Sequence, residues 1–108
     1  MQADQIIRAL GALAQEHRLA VFRLLVEAGP DGIAAGVLAE SVGVPPSSMS
    51  FHLAQLSAAG LVAQRRVSRS IIYSADYPAM TALIAYLTDN CYAGAACEVP
   101  AVGGCARV

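Results

Sequence analysis

The stretch between residues 44 and 62 restricts the fold of this chain more than any other part of it. Pro46 suits the first turn of a helix, where a missing backbone N–H costs no hydrogen bond. Gly60 suits the left-handed conformation that closes a helix. Between them an apolar stripe recurs at intervals of four and three residues, formed by Met49, Leu53 and Leu56. The stretch therefore predicts a helix with one buried face.

A shorter helix is predicted immediately before it. It runs from about Ala34 to Ser41, is buried through Val37 and Leu38, and ends at Gly43. Two helices joined by a tight turn containing glycine, the second rich in small polar side chains, are typical of a helix-turn-helix. The side chains left largely off the apolar stripe of the second helix are Ser47, Ser48, Phe51, His52 and Gln55.

Three further helices and a hairpin surround this pair. Two β-prone runs, residues 61–66 and 70–74, predict a hairpin with basic residues near its tip. Helical spacing predicts one helix over about residues 3–15, a second before the turn at residues 29–32, and a last one from about Tyr77 to residue 90 or 91. Their apolar faces contain Ile6, Ile7, Leu10, Leu13 and Ala14; Leu19, Phe22, Leu25 and Val26; and Met80, Leu83, Ile84 and Leu87. The predicted fold is mainly α with a β-hairpin wing, a winged helix-turn-helix.

Composition indicates a soluble, folded protein. The chain of 108 residues is 56% hydrophobic and 14% charged, whereas intrinsic disorder needs low hydrophobicity and a large net charge. No stretch reaches the roughly 20 apolar residues of a membrane span, and no basic segment of a signal peptide is visible. We therefore expect a cytoplasmic protein with no membrane partner. So much apolar surface on a small chain also favours a homodimer.

Charge is unevenly distributed along the chain. All seven basic residues are arginines, and the net charge is −1. The segment from Pro46 to Ala75 contains no acid and carries +3, from Arg65, Arg66 and Arg69. The remainder has four arginines and eight acids, or −4. A local basic face on an acidic body is compatible with contact to phosphates.

Several of these motifs resemble one family. The stretch 13–25 resembles the start of the second helix of ArsR/SmtB-type repressors. Ser50-Phe51-His52-Leu53-Ala54-Gln55-Leu56, followed by Ala59-Gly60-Leu61-Val62, resembles their recognition helix and its exit, and is the most specific match. Arg65-Arg66, Arg69 and Tyr73 are similar to the wing. The resemblance covers roughly residues 5–90. Two departures are Pro45, where the family often has a capping Ser, and Val67-Ser68, which replaces an acidic-Gly turn.

The resemblance implies a repressor that binds double-stranded operator DNA as a homodimer, joined through the first and last helices, and leaves it when a metal or metalloid binds. Hydrogen bonds to phosphates and base edges are expected from Ser47, Ser48, Ser50, His52 and Gln55. Arg65, Arg66 and Arg69 are expected to hold flanking phosphates. For Ser47 and Ser48 the alternative is a bond to backbone N–H groups of the first helical turn. For His52 it is a half-exposed position without a DNA role. For Arg18 the two alternatives are a DNA contact and an ion pair within the domain, and we favour the ion pair.

All three cysteines, Cys91, Cys97 and Cys105, lie in the last 18 residues. We expect residues 1–91 to form the DNA-binding and dimerisation domain, and residues 92–108, rich in Ala and Gly, a flexible tail. Three thiolates without an imidazole favour a soft centre of low coordination number, such as As(III) or Sb(III) acting as inducer. The last helix contains no histidine, so zinc is poorly supported there. A thiol-redox switch, another soft ion such as cadmium, and incidental cysteines without a ligand are the alternatives.

An enzyme is not supported by the sequence. A thiol reductase needs a reactive cysteine beside a base or a nearby resolving cysteine, and no CxxC motif is present. No organic cofactor is expected. For the switch we expect the last helix to pack on the first helix of the partner, with Leu83, Ile84 and Leu87 against Ile6 and Leu10. Binding at the cysteines would then alter the spacing of the two recognition helices.

Overall fold

The structure, a computed structural model, describes residues 1–89. Its elements are α1 (Ala3–Leu13), α2 (Glu16–Ala28), β1 (Ile33–Ala34), α3 (Ala35–Val42), α4 (Pro46–Ala58), β2 (Val62–Val67), β3 (Ser70–Ala75) and α5 (Tyr77–Thr88). This arrangement confirms the predicted winged helix-turn-helix, with α3 and α4 as the helix pair and β2–β3 as the wing. The three cysteines and the tail predicted over residues 92–108 lie outside the described residues.

The sheet is antiparallel, with strand order β1-β3-β2. The hairpin register runs from Val62 opposite Ala75 to Val67 opposite Ser70. β1 pairs with the other edge of β3, with Ile33 opposite Tyr73. This strand was not predicted, because two residues are too few to show the alternation that identifies a strand. It joins the wing to the chain that enters α3.

The core confirms the predicted apolar stripe of α4, whose three members are at most 1% exposed. Two predicted core residues are wrong. Val37 is 50% exposed and Leu19 is 47% exposed. Neighbours along a helix differ in direction by about 100°, and in both helices other apolar residues face the core. The residues that fill these positions are Leu38 and Ala39 in α3, and Val21, Phe22 and Leu25 in α2.

Gly32, between α2 and β1, has a φ of +78°, in the left-handed region that favours glycine. A Cβ built on Gly32 would meet the carbonyl oxygen of Tyr73 and lie 2.9 Å from Cγ2 of Ile72, both on β3. The close approach lets β1 pair with β3 directly after the turn. The predicted stop at residues 29–32 is therefore also the place where the sheet gains its third strand.

Helix α5 is anchored to the domain at its beginning. The Tyr77 hydroxyl donates hydrogen bonds to the carbonyls of Leu25, at 3.3 Å, and Val26, at 3.0 Å, in the last turn of α2. The Asp76 carboxylate accepts a 3.0 Å bond from the backbone N–H of Ala79 and so caps the helix. Further along α5, only Leu83 is buried.

The predicted dimer contacts need a correction. Ile6 and Leu83 are 4% and 6% exposed and belong to the core of the single chain, because α1 and α5 pack against each other within it. They are therefore not available to a partner. The exposed apolar side chains on these two helices are instead Ile7, Leu10, Ile84, Tyr86 and Leu87. We call these five residues the α1–α5 apolar face.

Candidate nucleic-acid interface

The polar side of α4 is accessible. Ser47, Ser50 and Gln55 are exposed, whereas Ser48 and His52 are half-buried. The helix begins after Pro45 without a side-chain cap. Within residues 1–89, the hydroxyls of Ser47, Ser48 and Ser50 have no hydrogen-bond partner. The alternative in which Ser47 and Ser48 satisfy the backbone of the first turn is therefore not seen in the described part of the chain, and their hydroxyls can serve a ligand.

Arg18 connects α2 to α4. Its Nε donates a 2.7 Å hydrogen bond to the carbonyl of Ala12, one of the carbonyls left open at the end of α1. Its Nη1 lies 3.4 Å from Nδ1 of His52. The expected intradomain role of Arg18 is thus found, but no carboxylate pairs with it in the described residues. The expected ion pair is replaced by bonds to a carbonyl and an imidazole.

This contact fixes the chemistry of His52. Because Arg18 can only donate, Nδ1 of His52 must accept, and the neutral ring then carries its hydrogen on Nε2. The pKa of His52 is held below its usual value of 6.5 by partial burial of the ring, then by the positive charge of Arg18 and by His17. The centroids of the two imidazole rings are 5.5 Å apart. His52 is therefore a neutral Nε2–H donor at pH 7.

We expect the NMR titration midpoint of His52 to lie below 6.5, and Arg18→Gln to move it back toward 6.5 by removing a nearby positive charge. Arg23→Gln is the matched control. Arg23 is another arginine of α2, which pairs with Glu27 at 3.2 Å, and its loss should leave the midpoint unchanged. A wild-type midpoint at or above 6.5 would contradict the assignment.

The same shift has a consequence for stability. Folding favours the neutral ring of His52, so its contribution is fully present above pH 6.5. As the pH falls below 6.5, the unfolded chain takes up the proton first and the contribution is progressively lost. We expect the decrease in Tm between pH 7.5 and pH 5.5 to be smaller in His52→Gln than in the wild type.

The arginines of the wing have different environments. Arg65 and Arg66 are neighbours in β2, so their side chains point to opposite faces of the hairpin. Arg65 donates a 2.8 Å hydrogen bond from Nη2 to the carbonyl of Asp31. Arg66 and Arg69 are exposed, and neither forms a salt bridge within residues 1–89. Ser68 at the tip has a φ of +59°. Two of the three predicted phosphate-binding arginines are thus unengaged in the described structure, while Arg65 is attached to the domain.

Across residues 1–89, no three His, Cys, Asp or Glu side chains are grouped so that they could hold a metal ion. The predicted metalloid ligands Cys91, Cys97 and Cys105 lie outside this range. No helix in the described range has the length and apolar character needed to span a bilayer.

Comparison with known proteins agrees with this geometry. A family model described as a helix-turn-helix domain matches residues 13–65. The chain is 34% identical over 87 residues to the HTH-type transcriptional regulator YgaV of Escherichia coli (strain K12), covering 81% of this chain and 86% of YgaV. It is 36% identical over 80 residues to the nodulation protein NolR of Rhizobium meliloti, covering 74% of this chain and 63% of NolR.

A solved structure supplies the family. The homodimeric winged helix-turn-helix DNA-binding domain Mb0332 of Mycobacterium bovis, described as a possible ArsR-family transcriptional regulator, superposes with a TM-score of 0.64. The two are 30% identical, and the match covers 81% of each chain. This chain belongs to the ArsR family. This ArsR-family protein is a DNA-binding transcriptional regulator and not an enzyme.

Two residues of this ArsR-family regulator were not predicted as site residues. Phe51 is 58% exposed on α4. The sequence could have indicated this, because Phe51 is two residues from Met49 and from Leu53 and so lies on the opposite side of the helix. Arg18 positions His52. No sequence signal indicates this contact, because the two residues are 34 positions apart in the chain.

Proposed function

We propose that this regulator is a repressor that binds operator DNA as a homodimer and leaves it when trivalent arsenic or antimony is bound by Cys91, Cys97 and Cys105. The observation that carries the proposal is the confinement of every thiol to the last 18 residues, immediately beyond α5. Trivalent arsenic and antimony favour three sulfur ligands, and this set supplies three thiolates without a competing imidazole.

The DNA-binding part rests on the two surfaces described above. Ser47, Ser48, Ser50, His52 and Gln55 lie on or beside the open side of α4, and helices in this position enter the major groove. Arg66 and Arg69, which form no salt bridge within residues 1–89, add positive charge on the wing, where phosphates of the flanking backbone would lie. Arg65 can contact a phosphate only after its hydrogen bond to the carbonyl of Asp31 breaks. If that bond persists, Arg65 instead holds the wing to the domain.

The dimer rests on the α1–α5 apolar face. Ile7 is 69% exposed and Leu87 is 57% exposed in the single chain, which is costly in water and favours burial against a second copy. α5 thus forms part of the proposed interface, and the chain passes from it directly to Cys91. A change at the thiolates can therefore reach the dimer geometry, and with it the spacing of the two recognition helices. Coupling of this kind is typically 5- to 150-fold in affinity.

The experiment is fluorescence anisotropy of the reduced full-length protein on labelled promoter DNA, titrated in parallel with sodium arsenite, zinc chloride and diamide. We expect release by arsenite in the wild type and no release in Cys91→Ser. Cys97→Ser and Cys105→Ser should also be impaired, since an inorganic centre uses all three thiolates.

The redox alternative makes a different prediction. A disulfide uses two of the three thiols, so diamide would release the DNA and one Cys→Ser variant would respond normally. Release by diamide alone would replace the metalloid proposal with a redox one. The metalloid proposal would be overturned by tight DNA binding that persists with every reagent. It would also be overturned if arsenite still released the DNA from Cys91→Ser.

A further inference from the structure

Phe51 has an unusual position for an aromatic residue. It is 58% exposed, whereas the other phenylalanine of the chain, Phe22, is 7% exposed. Phe51 lies two residues after Met49 and two before Leu53 on the buried stripe of α4. At about 100° per residue it therefore points about 160–200° away from the core. A phenyl ring in water does not stabilise the fold, and its apolar surface is available for contact with a ligand.

The surroundings of Phe51 belong to the DNA-facing side of the helix. Ser47 and Gln55, one turn before and one turn after it, are both exposed. The apolar ring therefore lies between two polar side chains on the surface that the helix-turn-helix presents to DNA. It lies on α4, whereas the α1–α5 apolar face belongs to other helices. The exposure of Phe51 is therefore explained by its place on the side of α4 that faces DNA.

The ring is also held in place. The centroids of Phe51 and His52 are 5.9 Å apart at an interplanar angle of 62°, an edge-to-face contact. His52 is in turn held by Arg18, which is fixed to the carbonyl of Ala12. A chain of contacts from the end of α1 thus limits the freedom of an exposed aromatic side chain. Such preorganisation reduces the entropy lost when the ring is buried against a ligand.

We propose that Phe51 determines sequence specificity by contacting the C5-methyl group of a thymine in each operator half-site. The proposal rests on DNA binding by α4 and is independent of the inducer. In the major groove the thymine methyl is the apolar group that distinguishes one base pair from the others, and phenylalanine is one of the side chains that contact it. The serines, His52 and Gln55 can supply hydrogen bonds, so Phe51 adds a kind of recognition that they cannot.

The test uses an operator duplex obtained by in vitro selection with the full-length reduced protein. Each thymine is replaced in turn, symmetrically in both half-sites, by deoxyuridine, which lacks only the methyl group. We expect one position at which the wild type loses about 15-fold in affinity, or about 4-fold per half-site, as for the loss of one buried methyl group. Phe51→Ala should bind the thymine and deoxyuridine duplexes equally.

Leu19→Ala is the matched control, because Leu19 is an exposed apolar residue, 47% accessible, on α2 instead of α4. It should retain the full difference between the two duplexes. Phe51→Ala should also keep the wild-type Tm and the salt dependence of binding, because it removes neither a core residue nor a phosphate contact. A Phe51→Ala protein that still discriminates against deoxyuridine, or a wild type indifferent to every thymine methyl, would overturn the proposal. Failure to select any DNA would instead count against DNA binding itself.

Discussion

Gly32→Ala is expected to lower the free energy of unfolding by about 3 kcal/mol. A side chain in the left-handed conformation of Gly32 costs about 1–2 kcal/mol. The new Cβ would also press on the carbonyl of Tyr73 and on Cγ2 of Ile72 in β3, and overpacking of this kind costs about 1–3 kcal/mol. For a domain of this size the change should lower Tm by roughly 12–24 °C in a thermal melt.

Gly36→Ala is the control for this substitution. Gly36 is exposed in α3, and a Cβ placed there meets nothing within 4 Å. In a helix, alanine is favoured over glycine by roughly 0.5–1 kcal/mol, so Tm should stay the same or rise slightly. Equal Tm values for the two variants would show that the turn before β1 tolerates a side chain and would refute the described approach of Gly32 to β3.

Leu87→Glu is expected to convert the regulator to a monomer and to weaken operator binding by at least about 100-fold. Leu87 is 57% exposed in the single chain, so the substitution leaves its core intact. In a symmetric interface the charge is introduced twice and is buried without a partner. Loss of the second subunit removes bivalent binding to the two half-sites, which is commonly worth 10²–10⁴ in affinity. Sedimentation equilibrium and anisotropy measure the two effects.

Leu19→Glu places the same charge on an equally apolar but differently located side chain, 47% exposed on α2. This variant should remain a dimer. If Leu87→Glu is also dimeric at micromolar concentration, the α1–α5 apolar face is not the interface, and the route proposed from the cysteines to the DNA is lost with it.

The sequence was most informative where periodicity was long and unambiguous. The stripe of α4 and the closing glycines Gly43 and Gly60, both at positive φ, identified the helix-turn-helix. The same method failed for β1, which is too short for a pattern. It failed in part for α2 and α3, where Leu19 and Val37 are hydrophobic but exposed. Hydrophobicity alone cannot say which of several apolar residues on a short helix faces the core.

The candidate site was predictable only as a set of residue types. The sequence pattern left Ser47, Ser48, Phe51, His52 and Gln55 off the apolar stripe of α4. It could not show that His52 is paired with Arg18 from another helix. Nor could it separate Arg65, which is bound to the carbonyl of Asp31, from its neighbour Arg66. Such contacts depend on how helices and turns meet in three dimensions. The same is true of Ile6 and Leu83, which were expected to contact a partner but are buried in their own chain.

The hydrogen bonds from the Tyr77 hydroxyl to the end of α2 hold the first turn of α5 in place, so a tilt of α5 would occur about this turn. The helix extends from it for 12 residues, or about 18 Å, so a tilt of about 5° displaces its far end by about 1.5 Å. Displacements of 1–2 Å are the size of the helix shifts that switch subunit interfaces. A tilt of α5 therefore displaces most the end from which the chain continues toward Cys91. The first turn of α5 stays attached to α2 and so to the helix-turn-helix.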